Sequence, residues 1–153
     1  MMADLLIDRL ARDAEREPQT PLLPRFALTH AEAWAQSGSV ASWLIAQGFG
    51  PGALSLAVSA PDSAERVVLL LGALRAGALV AGAAGEAALA FCVQNGRLVT
   101  SHGVALAALA RSSIDAAVAE RRLHIGADTP ARIIRGTCRL HGDFATIAEA
   151  VAD

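Results

Sequence analysis

The stretch LLLGALRAGAL, Leu69–Leu79, decides how the rest of the chain is read. It holds two glycines, Gly72 and Gly77, and one charge, Arg75; every other position is apolar. A surface helix shows one apolar stripe and one solvated face, so a helix that is apolar all round must be covered on every side. Upstream, Pro61 and Asp62 open such a helix, which runs to about Ala76 and is closed by Gly77. Flanking it are LSLAVSA (Leu54–Ala60) and ALVAGA (Ala78–Ala83), runs apolar on both faces, as buried parallel strands are. Strand, helix, strand then predicts a sheet on one side of the helix and some other cover on the opposite side.

The same alternation continues outward. Leu5, Leu6, Leu10 and Ala14 mark an amphipathic helix that Pro18 stops. FALTHAEAW (Phe26–Trp34) predicts a short strand and then a helix. Thr29 and Glu32 have capping-box spacing, so the hydroxyl and the carboxylate each satisfy an orphan N–H. That helix is expected to reach about Gln47 and to stop at GFGPG (Gly48–Gly52). Downstream the pattern predicts a short helix from Glu86 to about Gln94 and a strand at RLVTS (Arg97–Ser101). A helix from about Val104 to Glu120, a strand at RLHIGA (Arg122–Ala127) and a last helical turn in FATIAEAVAD follow. The expected fold is a single α/β domain over residues 1–153, a three-layer open parallel sheet with helices on both faces.

Hydrophobic residues make up 54% of the chain and charged residues only 18%, which excludes a disordered chain. So much apolar surface predicts a homo-oligomer or a protein partner. The net charge of −2 gives no reason to expect nucleic acid. Charge is unevenly spread, however. Acids dominate up to Glu32, while Arg111, Arg121, Arg122, Arg132, Arg135 and Arg139 gather in the last third. Such a set is either solvated and carboxylate-paired or an anion- or partner-facing patch. All 13 basic residues are arginine, so Schiff-base chemistry and every lysine-dependent step are closed to these residues.

Cys92 and Cys138 lack CxxC spacing and read as free thiols. The acids in MMADLLIDRLARDAEREP speak against a signal peptide, and a cytoplasmic location is expected. Arg75 splits the longest apolar run, Val67–Gly85, so no membrane span is expected.

Motifs are sparse. GFGPG follows a helix and precedes a strand, the reverse of a phosphate-binding turn. AGAAGEAA (Ala81–Ala88) has the right order, and Gly82 and Gly85 would let backbone N–H groups approach an anion, but no acidic residue follows at ribose-binding distance. His30, His102, His124 and His141 lack metal-ligand spacing, and no metal or cofactor is expected. Ser59 ends one predicted strand and Ser101 and His102 end another, the position at which open α/β sheets bind ligands. Ser59, Gly82, Gly85, Ser101 and His102 are therefore the candidate ligand-binding residues, and no catalytic set is apparent.

Three segments together resemble the N-terminal part of the adenylate-forming superfamily, which includes acyl-CoA synthetases, fatty-acyl-AMP ligases and peptide-synthetase adenylation domains. LTHAEA (Leu28–Ala33) is similar to the family's "LTYAEL" start, and Gly48–Gly85 matches its long "GVGPGD…GALRAGAVVVPLNP" stretch in order and spacing. RLVTS is similar to the family's "VLVT" strand, and HGDFATIAEAVAD (His141–Asp153) to a later segment. AGAAG stands where the family has "PLNP". The sequence ends where the family's lysine-containing phosphate loop would begin, so the resemblance assigns no catalytic residue to any position here. It implies an acyl-CoA-synthetase-like α/β subdomain and a catalytically incomplete ligase homologue. Such a chain is expected to act as a homo-oligomeric or partner-binding module in acyl-transfer biosynthesis, its partner a ligase or an acyl-carrier system. The alternatives are a small-ligand or nucleotide-binding protein using the strand-end crevice, and one subunit of a split acyl-adenylating ligase.

Overall fold

The computed structural model describes residues 4–81, 87–114 and 116–152. Its elements are α1 (Leu6–Arg16), α2 (His30–Ala46), β1 (Ser55–Ser59), α3 (Ala64–Ala76), β2 (Leu79–Ala81), β3 (Leu89–Gln94) and β4 (Arg97–Thr100). They continue with α4 (Leu106–Leu109), α5 (Ala117–Arg122), β5 (Pro130–Ile134), β6 (Thr137–Leu140), a 3-10 turn (His141–Asp143) and α6 (Ile147–Val151). The strands form one six-stranded sheet in the order β4-β3-β1-β2-β5-β6.

The α/β class expected from the sequence is the one observed. The pairings β1 with β2, β1 with β3 and β2 with β5 are parallel. Both edge strands, β4 and β6, run antiparallel to their neighbours, so the sheet is mixed where a parallel one was expected. Two tight turns cause this. Asn95-Gly96 and Arg135-Gly136 each place two successive residues at positive φ, the backbone that reverses a chain into a two-residue hairpin.

The decisive stretch forms α3 as expected. Ser63 caps it, its hydroxyl accepting from the Arg66 N–H at 3.1 Å, so the helix starts just after Pro61 and Asp62. Gly77 ends it in the left-handed region at φ 74°, which a side chain would disfavour. Every residue from Arg66 to Ala76 is buried. The cover comes from β2 and β4 of the sheet and from α2, α5 and α6. The apolar helix is thus enclosed within this one chain. Among the described residues the large apolar side chains left exposed lie elsewhere, at Leu54, Val93, Val104, Ile114, Leu123 and Ile133.

The capping box of α2 forms as read: Glu32 N–H donates to Thr29 Oγ1 at 3.1 Å and Thr29 N–H to Glu32 Oε1 at 3.0 Å. Four sequence expectations need correction. Residues 89–94, read as the end of a short helix, are strand β3, because Asn95-Gly96 folds them back against β4. The helix expected from Val104 to Glu120 is broken into α4 and α5. Ser112 Oγ donates to Leu109 O at 2.8 Å, and Ser39 Oγ donates to Ser112 O at 2.7 Å. Serine competing for backbone groups ends a helix in this way. RLHIGA is the end of α5 and a turn, in which Gly126 N–H donates to Thr129 Oγ1 at 2.9 Å, and the strand comes later as β5. FALTH contributes only an isolated bridge between Pro21 and Thr29.

Candidate functional site

Because β4 is antiparallel, its C-terminal end lies beside the N-terminal ends of β1 and β3. Ser101 N–H donates to Ala90 O near the start of β3, whereas Ser59, at the end of β1, is level with Cys92. Two residue steps, roughly 7 Å along the strands, separate them, with β3 between. The structure therefore places Ser59 at one end of the sheet and Ser101 and His102 at the other. Gly82 and Gly85 lie outside the described residues.

His102 does line a cleft of about 290 Å³. The end of α2 contributes Trp43 and Gln47, the following loop Phe49, the approach to β1 Leu54, the start of β3 Leu89, and the turn after β4 Thr100, His102 and Val104. The buried Thr100 builds that turn. Its Oγ1 accepts from His102 N–H at 3.2 Å and from Val104 N–H at 3.1 Å, while its own N–H donates to Val104 O at 2.8 Å. Gly103, at φ 84°, completes the loop.

The walls are predominantly apolar, with Leu54 48% and Val104 38% exposed at the mouth. Among the described residues His102 is the only ionisable side chain lining the cleft. Among the described residues of that lining no other acid or base stands beside it, and the Thr100 hydroxyl accepts from the backbone of the turn. Among the described residues no group of three His, Cys, Asp or Glu side chains is placed to hold a metal ion. No helix among them is long and apolar enough to cross a membrane.

Three arginines of the last third, Arg121, Arg122 and Arg132, are braces. Arg121 Nη1 donates to Phe49 O and to Ala76 O, both at 2.7 Å, which joins the loop under the cleft to the end of α3. Arg122 makes a two-point ion pair with Asp8 at 2.8 and 2.6 Å, and Arg132 Nη1 donates to Ala150 O at 2.9 Å. Sequence reasoning missed Trp43, Phe49, Leu54 and Val104 as cleft residues. Asn95-Gly96 was the signal that would have oriented β4 and led to them.

The AMP-binding enzyme family model matches residues 10–121, well over half of the chain. The chain belongs to the AMP-binding enzyme family. The resemblance read from Leu28–Ala33 and Gly48–Gly85 is thereby borne out. No curated protein matches. Among solved structures, this AMP-binding family member is similar to the crystal structure of VinN, at 22% identity and TM-score 0.47, over 55% of this chain and 22% of that one. It is also similar to the inhibitor-bound N-terminal domain of FACL13 from Mycobacterium tuberculosis, at 25% identity and TM-score 0.44, over 53% of this chain and 21% of that one. The chain spans only about a fifth of the length of either structure.

Proposed function

We propose that this AMP-binding family chain works as a non-catalytic binding module, self-associating or engaging a protein partner in an acyl-transfer system. The observation that carries this reading is the cleft mouth, where Leu54 and Val104 expose apolar surface around a pocket whose only ionisable group among the described residues is His102. Exposed apolar residues grouped around a concavity are the ordinary mark of an interaction surface. The composition supports it too: these 153 residues contain no lysine, so any step needing an amine side chain comes from another segment or chain.

Light scattering on the eluting peak, over a wide range of protein concentration, tests the proposal. A dimer or larger species is expected, and Leu54→Asp or Val104→Asp should shift it toward monomer while leaving the circular dichroism spectrum unchanged. A clean monomer at every concentration, together with unchanged behaviour of both variants in co-expression with neighbouring gene products, would overturn it.

A second reading rests on Ser59, which is exposed at the C-terminal end of the central strand β1. That is where α/β sheets hold small ligands. Ligand binding must raise the melting temperature, so a flat thermal-shift panel of AMP, ATP and CoA at millimolar concentration disposes of it.

A further inference from the structure

The chain contains a single asparagine, Asn95, and a glycine follows it. The pair forms the tip of the β3–β4 hairpin, closed by the pairing of Gln94 with Arg97. Both residues are exposed, and both stand at positive φ, 52° and 76°, the two-residue turn that this dipeptide favours. Their backbone is otherwise unengaged. Among the described residues no hydrogen bond involves the N–H of Asn95, the N–H of Gly96 or the Asn95 side-chain amide. A Cβ on Gly96 would meet no atom within 4 Å beyond its chain neighbours, so the turn stands open to water.

These features favour one reaction. Asparagine is thermolabile because its side-chain carbonyl carbon lies one ring closure away from the next backbone nitrogen. In most sequences the following Cβ crowds that approach, and glycine has none. Gly96 N attacks Asn95 Cγ: the N–Cγ bond forms, the Cγ–Nδ2 bond breaks, and the proton of Gly96 N leaves with the amide nitrogen as ammonia. Water then opens the five-membered imide at either carbonyl. Opening at the former side-chain carbonyl gives aspartate. Opening at the backbone carbonyl gives isoaspartate, in which the main chain runs through Cγ. Nothing is oxidised or reduced, and solvent water is the only co-reactant.

We infer that Asn95 is a site of spontaneous deamidation in the folded protein, and that its isoaspartyl product loosens β4. The second half follows from how the hairpin is held. Strand β3 is locked between β1 and β4, so the edge strand must yield when the turn lengthens. Isoaspartate adds one backbone carbon to a turn built for two residues, which the Gln94–Arg97 pairing cannot absorb. The start of β4 is tied to α3 by Glu65, whose Oε1 accepts from Arg97 Nε at 3.2 Å and from Leu98 N–H at 3.4 Å. Those are the bonds the added length pulls against. The new carboxylate, two residues from Arg97, also competes with Glu65 for that guanidinium. Thr100 and His102 follow on the same arm, so a slack β4 reaches the cleft, whatever that cleft binds.

Mass spectrometry of the tryptic fragment Ala76–Arg97 tests this, after the folded chain has stood in warm, mildly alkaline buffer with graded urea below the unfolding transition. A gain of about one dalton at Asn95 is expected. The product should separate into two species, of which the isoaspartyl one accepts a methyl group from protein isoaspartyl methyltransferase. The rate should change less than about twofold over the first molar of urea, whereas a reaction that waits on global unfolding speeds up about tenfold. That tenfold rise, or no gain in the folded chain while the unfolded chain converts, would overturn the assignment to the folded state. Asn95→Gly keeps a turn that Gly-Gly also fits and should abolish the gain; a gain that persists there lies at Gln94 and refutes the site. In the purified isoaspartyl form, the amides of Leu98–Thr100 should exchange hydrogen at least about tenfold faster than in the untreated chain. Unchanged exchange would refute the loosening of β4.

Discussion

The His141 ring is 2% exposed, and its Nε2 has no hydrogen-bond partner among the described residues. Burial, reinforced by the charge of Arg122, holds the imidazole down to about 4 from its ordinary 6.5. Between those values the unfolded chain binds a proton that the folded chain refuses. Stability from this group is therefore complete above pH 6.5 and is lost as the pH falls toward 4. At about 1.4 kcal/mol per pH unit the loss amounts to ~3 kcal/mol. Asp8 titrates in a separate, lower window. The Arg122 hydrogen bond keeps its carboxyl below the ordinary 3.8, so its contribution persists above that value and disappears only as the pH falls through its lowered folded pKa. Urea unfolding from pH 7 to pH 4.5 should show the midpoint falling, and His141→Leu should flatten that fall; an unchanged slope in the variant would count against the account. Nothing in the sequence marked this histidine, because burial is a property of the fold around it.

Among the elements, the pairing of α2 with α3 turns on Gly72. A Cβ there would stand 2.6 Å from Val40 Cγ1 and 2.7 Å from Val40 Cβ. Gly72→Ala gains roughly 1 kcal/mol of helix propensity, but forcing a methyl into a packed site costs about 1–3 kcal/mol. Val40 is fully buried and stiff at χ1, so the steric cost wins. The variant is expected to melt at a lower temperature, and Val40→Ala in the same chain should recover part of the loss, which calorimetry of the single and double variants checks. The glycine inside an apolar helix was visible in the sequence, while the valine opposite it was not. Helix α3, its Gly77 stop and the Thr29–Glu32 cap were legible because each depends on local residue types. Strand β3 was misread because Leu89–Gln94 alone fits either period, and only the turn after it decides between them.

For the molecule as a whole, a single error of direction carried the largest consequence. Reading β4 as one more parallel strand placed Ser101 and His102 beside Ser59, and the hairpin at Asn95-Gly96 separates them. The apolar excess was legible, but its location was not. The chain wraps its most apolar helix by itself, and two of the large apolar side chains it leaves exposed, Leu54 and Val104, rim a cleft built from three separate segments. Arg75 is legible as the charge interrupting an apolar run, whereas its stacking on Trp34 depends on α2 lying against α3.

The arrangement of the sheet also sets an order of events in time. The two edge hairpins join near neighbours, Gln94 to Arg97 and Ile134 to Thr137, and such hairpins close within about 1–10 μs. The interior pairings bring together Leu56 with Leu89 and Val80 with Arg132, and so wait on the entropy of much longer loops. If the hairpins are formed in the transition state, a change at Asn95-Gly96 slows refolding in stopped-flow measurements, whereas a change at Val80 mainly speeds unfolding. The edges of this sheet, antiparallel and local, are then the first part of the molecule to exist, and the parallel centre is assembled between them.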